Sequence, residues 1–270
     1  MDTSTIKSGS AELSEVQSWL KDLDLEMVVI SRNRAGKTHT QEALPKFVKF
    51  LVPESQADAY RQHLDNPIIT CPDDTLGIGR TKNYVLDNIT SRMVCIFDDD
   101  VKAIRYIGSE RRRRLTPNEA AFVICNLATM TDDLGLHTFS FTMKNGMTFD
   151  PHKPFSLCAT YSGMTGVIDR KYHFPDLKLK TDVDYVLQNL LYDRIVFFDC
   201  RYSIETFIDS NTGGASLFRS DEKIKEERAI LCKKWGKYLK YKETRALKSQ
   251  ESRMVVVPTL NVRRTQNLDI

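Results

Sequence analysis

Met93-Val-Cys-Ile-Phe-Asp-Asp-Asp100 is the stretch on which the fold turns. A short apolar run closed by turn-forming residues reads as a strand buried on both faces. Carboxylates massed at its C-terminal end would sit in the crevice where open α/β sheets bind ligands. Asp98 and Asp100 are two apart, so in extended chain they share a side. Two carboxylates at a strand end suit a hard divalent cation, Mg²⁺ or Mn²⁺, which can hold a diphosphate. The plainer reading is a strand-to-turn exit, since Asp is common in turns.

Working outward, the first hundred residues alternate strand and helix, which argues an α/β fold with a mixed, mostly parallel sheet flanked by helices. Leu13, Val16, Leu20 and Leu23 recur at helical spacing. Met27 to Ile30 is the first buried strand, and it empties into the polar loop Ser31 to Lys37. Thr40 to Phe47 opens a helix, Lys46 to Val52 reads as a strand, and Ser55 to Leu64 as a helix. Asn66-Pro67 breaks the chain before the short strand Ile68 to Cys71. Arg80 to Asn88 reads as the next helix.

Beyond the aspartates, Thr116 with Glu119 three residues on forms a capping box for a helix over Pro117 to Leu134. His137 to Met143 alternates as a strand, Asn145-Gly146 is a hairpin-type turn, and Ser156 to Ile168 is mixed. Asp182 to Tyr192 is an amphipathic helix, and Ile195 to Asp199 a buried strand. Thr212 to Ala215 is a glycine-bearing loop, and Asp221 to Leu247 reads as one long basic helix. The organisation expected is a loose tail over 1–12, one domain over 13–215, and a basic helical extension over 216–270 packed on that domain.

Composition bounds the function. The chain has 270 residues, 41% hydrophobic and 28% charged, the make-up of an ordinary globular protein. No apolar run approaches the roughly 20 residues of a membrane span, and residues 1–10 lack the layout of a secretion signal. Six cysteines stand apart with no Cys-x-x-Cys pair, which argues against a disulfide framework or zinc knuckle and for a reducing, cytoplasmic setting. Net charge is only +3 but unevenly spread. Arg111, Arg112, Arg113 and Arg114 make one basic knot. Arg219 to Lys248 holds eleven Lys or Arg against five Asp or Glu. Such clusters are either solvated faces or the footprint of a nucleic acid, with Lys233, Lys234 and Lys237 as phosphate contacts.

Several further residues have chemistry to offer. Arg32 and Arg34 follow the first strand, where they would hold a nucleotide base or phosphates; a solvated polar loop is the alternative. Gly77 and Gly79 permit close backbone approach, and Arg80 and Asn83 share one helix face on the donor side. Asp99 points to a ribose or caps a turn. Asp182 and Asp184 open a helix, either as N-cap and dipole partner or as general base and acceptor contact. His173 is either structural or a metal or acceptor contact.

The segments VVISRNRAG, LGIGRTKNYVLDN, MVCIFDDDV and LKLKTDVDYVLQNLLYDRIVFFD, in this order over residues 25 to 215, resemble a GT-A glycosyltransferase. Their wording is most similar to the TET/JBP-associated glycosyltransferases, a group that includes the base J glucosyltransferase of kinetoplastids and bacteriophage relatives. The resemblance implies transfer of a sugar from a nucleotide donor, a UDP-sugar, to a hydroxymethylated pyrimidine in DNA, with the base flipped out of the stack. It implies Asp98 and Asp100 as the metal-binding DxD element and Asp182 as base. Many GT-A enzymes add a late histidine to the metal, whereas this chain has none after His173. A glycan, lipid or protein acceptor, and a sugar-phosphate nucleotidyltransferase, remain as alternatives, as does a binding module with a decayed site. Sugar identity and oligomeric state are open at this level.

Overall fold

The computed structural model describes residues 12–108, 112–142, 150–161, 163–206, 220–245 and 254–262. The tail 1–11, Arg111, the Asn145-Gly146 turn and the Thr212–Ala215 loop lie outside them.

The first half builds four parallel strands, β1 (Leu25–Ile30), β2 (Lys49–Pro53), β3 (Ile68–Cys71) and β4 (Met93–Asp98), in the order β3-β2-β1-β4. Between them run α1 (Leu13–Asp22, before β1), the short α2 (Thr40–Ala43) and α3 (Ala57–Arg61), and α4 (Ile78–Asn88). The second half completes a mixed sheet. It comprises β5 (Val101–Tyr106), β6 (Arg113–Arg114), β7 (Thr138–Thr142), β8 (Phe155–Ser156), β9 (Met164–Ile168) and β10 (Phe197–Thr206). β9 runs antiparallel to β4 and to β7, and β10 runs parallel to β7 and antiparallel to β5. The helices of this half are α5 (Pro117–Asp133) and α6 (Thr181–Tyr192).

Strand alternation sorts side chains between two cores. Met27, Val29, Met93, Cys95 and Phe97 pack with residues of α1, α2 and α5 on one face. Val28, Ile30, Val94 and Ile96 pack with residues of α4 and α6 on the other. The apolar run before the three aspartates is therefore buried on both faces, as its composition required. The Thr116–Glu119 capping box forms in both directions at the start of α5.

The C-terminal part departs from expectation. α7 (Asp221–Trp235) stops at Gly236, whose φ of +49 an L side chain adopts only under strain. The chain then forms an antiparallel hairpin of β11 (Leu239–Arg245) and β12 (Met254–Leu260). α7 itself is almost balanced, with five Lys or Arg against four Asp or Glu. Leu231 and Trp235 of α7 and Leu239 pack with Leu177, Val183, Leu187 and Leu191 beside α6. Each such apolar side chain contributes roughly 1.5–3 kcal/mol, against a few tenths for an exposed pair such as Lys223–Glu226. Apolar burial, not surface charge, docks α7. No described helix is long and apolar enough to cross a membrane.

Candidate active site

Three loops leave the carboxyl ends of the parallel strands: Ser31–Lys37 after β1, Pro72–Gly77 after β3, and Asp99–Asp100 after β4. Arg32 ties the first to the second by donating to the carbonyls of Asp73 and Thr75, both at 3.1 Å. Arg34 ties the first to the third through a buried ion pair with Asp99. Ser31 Oγ also donates to the Asp99 carboxylate and lies 2.6 Å from the Tyr60 hydroxyl. Backbone bonds fix the turn itself. His39 N–H donates to the Asp99 carbonyl at 3.0 Å, and Thr40 Oγ1 donates to the Asp98 carbonyl at 2.7 Å.

The three aspartates thus divide. Asp99 is 5% exposed and turned inward, whereas Asp98 and Asp100 on either side are part-exposed. Arg34 and Asp99, both read as donor contacts, brace each other in a buried ion pair. Burial pushes the Asp99 carboxyl up, and Arg34 and Ser31 oppose it. Asp100 is pushed up to about 7 by burial and then by the like charges of Asp98 and Asp99. Removing one partner of a buried ion pair leaves the other uncompensated. Asp99→Ala is therefore expected to cost about 3 kcal/mol of stability, checked by chemical denaturation; an unchanged midpoint would mean that Arg34 needs no such partner.

Among the described residues no group of three His, Cys, Asp or Glu side chains is placed to hold a metal ion. The donors at the β4 terminus are two part-exposed carboxylates whose mutual repulsion a cation would relieve. That donor set fits Mg²⁺ or Mn²⁺, which commonly takes one or two carboxylates and completes its shell with substrate phosphates and water. His173 does not join them: its Nε2 lies 2.9 Å from Asp87 on the outer part of α4.

The second acidic element reaches the same end of the sheet along α4. The segment after β9 runs antiparallel to that helix. His173 meets Asp87, Phe174 meets Asn83, Asp176 meets Arg80, and the Leu177 carbonyl accepts from Gly79 N–H at 3.3 Å. α4 begins just beyond the carboxyl end of β3, so Lys178 to Asp182 arrive at the crevice. This packing explains Gly79, where a Cβ would lie 2.0 Å from the Pro175 carbonyl. Gly77, at φ +95, provides the bend before α4.

It also engages two residues read as donor-side contacts. The Asn83 amide exchanges hydrogen bonds with the Phe174 backbone, at 2.8 and 2.9 Å. Arg80 forks onto the Asp176 carboxylate at 2.7 and 2.8 Å. Both hold the segment that delivers Asp182.

Asp182 and Asp184, alike in sequence, differ in place. Asp182 is part-exposed in the first turn of α6, and desolvation pushes its carboxyl up against the pull of Lys180 and Lys82. Asp184 has no exposed surface. Its carboxylate accepts from Trp235 Nε1 at 2.7 Å, from Lys234 Nζ at 2.8 Å and from Gln188 Nε2 at 2.7 Å. An enclosed, occupied carboxylate cannot reach a substrate, so its catalytic reading gives way to a bracing one. Asp182 is not the N-cap of this helix: that position is Lys180, without a side-chain bond, and both aspartates lie in the first turn.

Two residues here escaped the sequence reading. Lys82 is 6% exposed, lies over the Phe174 ring at 5.1 Å, and acts electrostatically on Asp182. Its signal was present: Gly79, Lys82 and Val85 recur every third residue on the buried side of α4. Glu227, 1% exposed on α7, accepts from the backbone N–H groups of Lys178, Leu179 and Lys180 at 2.9 to 3.1 Å. Nothing in the charge pattern of α7 separates it from its solvated neighbours.

Arg112, Arg113 and Arg114 are exposed at the β6 edge, with Arg113 paired to Glu119. Lys233 and Lys237 are exposed at the end of α7 and beyond it, while Lys234 is tied to Asp184.

No curated protein matches the chain. Among solved structures, it is similar in fold to glucosyl-3-phosphoglycerate synthase from Mycobacterium tuberculosis in complex with Mn²⁺, UDP-glucose and phosphoglyceric acid. That match has a TM-score of 0.50 at 10% identity, over 85% of this chain and 86% of that one. Mannosyl-3-phosphoglycerate synthase from Rubrobacter xylanophilus matches with a TM-score of 0.50 at 10% identity, over 91% and 90%. TarS 1–349 of S. aureus with UDP-GlcNAc matches at 0.49 and 13% identity, over 76% of this chain but only 65% of its own. The family model described as TET-associated glycosyltransferase matches residues 25–202, from β1 into β10, and so takes in both acidic elements. On that match the chain belongs to the TET-associated glycosyltransferase family.

Proposed function

We propose that this protein is a metal-dependent glycosyltransferase that moves a sugar from a UDP-sugar to the hydroxymethyl group of a modified pyrimidine in DNA. What supports the reading is the family match over residues 25–202, which takes in Asp98 and Asp100 at the carboxyl end of β4 and Asp182 in the first turn of α6. Asp98 and Asp100 would hold Mn²⁺ or Mg²⁺ against the donor diphosphate. A divalent cation bound there neutralises charge developing on the departing UDP. The acceptor hydroxyl oxygen attacks the anomeric carbon, the bond from that carbon to the diphosphate oxygen breaks, and Asp182 takes the hydroxyl proton. Lys82 and Lys180 favour the ionised carboxylate needed for that task. This direct displacement inverts the anomeric centre.

A base held inside a duplex cannot be enclosed with a sugar donor, so the modified base is flipped out. Exposed Arg112, Arg114, Lys233 and Lys237 supply positive charge for backbone phosphates. The test is mass spectrometry of hydroxymethylated DNA after incubation with a panel of nucleotide sugars and Mn²⁺. One hexose or pentose mass added per modified base is expected, with release of UDP. Release of pyrophosphate would instead indicate nucleotidyl transfer. Failure to bind single- or double-stranded DNA in a salt-dependent manner would move the acceptor to a glycan, lipid or protein.

A further inference from the structure

α7 lies beyond the matched residues 25–202, yet it grips the segment that carries Asp182 from both sides. Upstream of Asp182, the Glu227 carboxylate collects three consecutive backbone N–H groups, those of Lys178, Leu179 and Lys180. Downstream, Asp184 receives the Trp235 indole N–H and the Lys234 ammonium. The two acceptors and the indole are shielded from water, with Glu227 at 1%, Trp235 at 8% and Asp184 at 0% exposure, while Lys234 reaches Asp184 from the surface. Leu231, fully buried between them on α7, seats the helix against α6. Desolvated hydrogen bonds to charged groups hold geometry more firmly than exposed ones. Free N–H groups before a helix are ordinarily satisfied by a local cap. Here the N-cap, Lys180, makes no side-chain bond, and the N–H groups of Lys180 and of the two residues before it go to a carboxylate 47 or more positions later in the chain.

We propose that Glu227 is a positioning residue for the proton acceptor, and that α7 is part of the catalytic apparatus rather than an appended basic arm. The inference rests on Asp182 as the base. Glu227 touches no substrate; it fixes the turn from which Asp182 projects. A carboxylate displaced by about an ångström from the hydroxyl it must deprotonate loses on the order of tenfold to a hundredfold in rate. The bonds that hold Asp98 and Asp99 come from Ser31, Arg34, His39, Thr40 and Gly163, none of them in this turn.

Glu227→Gln, made in the full chain, removes the charge and leaves one acceptor oxygen for three donors. Transfer is then expected to fall at least about tenfold in kcat while the KM for the UDP-sugar stays within about twofold. Hydrogen exchange at Lys178 to Lys180 should quicken. Glu227→Asp, which keeps the charge on a shorter stem, should recover part of the rate. If Glu227→Gln fails to fold, Trp235→Phe decides, since it deletes one hydrogen bond to Asp184 and keeps the aromatic bulk. Its kcat should fall with donor KM unchanged. A folded Glu227→Gln enzyme with wild-type kcat or unaltered exchange at those amides overturns the proposal, as does a folded Trp235→Phe enzyme with wild-type kcat. Asp182→Asn serves as the control: if it retains wild-type kcat, the assignment of the base is wrong, independently of what Glu227 does to exchange.

Discussion

Asp98→Ala and Asp100→Ala are each expected to abolish sugar transfer, by about a thousandfold or more, without unfolding the protein. The size follows from their task. Stabilising the charge on a departing diphosphate is worth several kcal/mol, and each 1.36 kcal/mol is about tenfold in rate. The fold survives because this turn is held by the Asp99 side chain and by backbone, which neither change removes: Asp98 N–H donates to the Gly163 carbonyl and the Asp98 carbonyl accepts from Thr40 Oγ1. Alanine keeps both. Asp100 in fact opposes folding while ionised. Its carboxyl is pushed up to about 7 in the folded protein, so the folded state holds the proton more tightly than the unfolded chain, and its contribution, full below the ordinary carboxyl range, is lost as pH rises from that range through about 7. Asp100→Ala should therefore be neutral to stabilising in neutral or mildly alkaline buffer. Asp99→Ala, between them, should do the reverse and destabilise. Thermal melts and initial rates with added Mn²⁺, repeated with chelator, separate the three. Full transfer in either outer variant, insensitive to chelator, would remove the metal from the mechanism.

That contrast also marks how far one sequence can be read. The β4 run and its aspartates were legible because they are local: apolar composition selects a buried strand, and chain direction puts its carboxyl end at the crevice. The Thr116–Glu119 capping box was legible for the same reason, since both partners lie within one turn. What Asn83 and Arg80 bond in the fold was not legible, because their partners, Phe174 and Asp176, are 91 and 96 residues away. A helix face offered to a ligand and one covered by a distant strap have the same spacing. The long basic helix failed differently. Its stop signal, Gly236, was in plain sight, but the continuing run of lysines outweighed it, and the positive charge beyond that glycine belongs to a hairpin. Glu227 was invisible because its meaning comes only from three unsatisfied amides contributed by another segment.

Asp182 and Asp184, two residues apart in one helical turn, are expected to fail in opposite ways. Asp182→Asn keeps the size and polarity of a part-exposed side chain but has no lone pair basic enough to accept the acceptor's proton. General-base contributions run to about 10²–10⁴ in rate, so kcat should fall by that order. The melting temperature should barely move, since desolvation already disfavours the charge that Asn removes. Asp184→Asn instead sets an NH₂ group in an enclosed place where Trp235, Lys234 and Gln188 all donate. At least one donor loses its acceptor. A buried unsatisfied group costs about 1–3 kcal/mol, which in a protein of this size lowers the melting temperature by several degrees, roughly 2–4 °C per kcal/mol. α7 loosens, and the rate falls in consequence. Melting curves beside single-turnover rates distinguish the two. An Asp182→Asn protein that melts early yet transfers sugar at full rate, or an Asp184→Asn protein that is fully stable and inactive, would exchange their roles. It would also mean that the enclosure of Asp184 opens during the reaction.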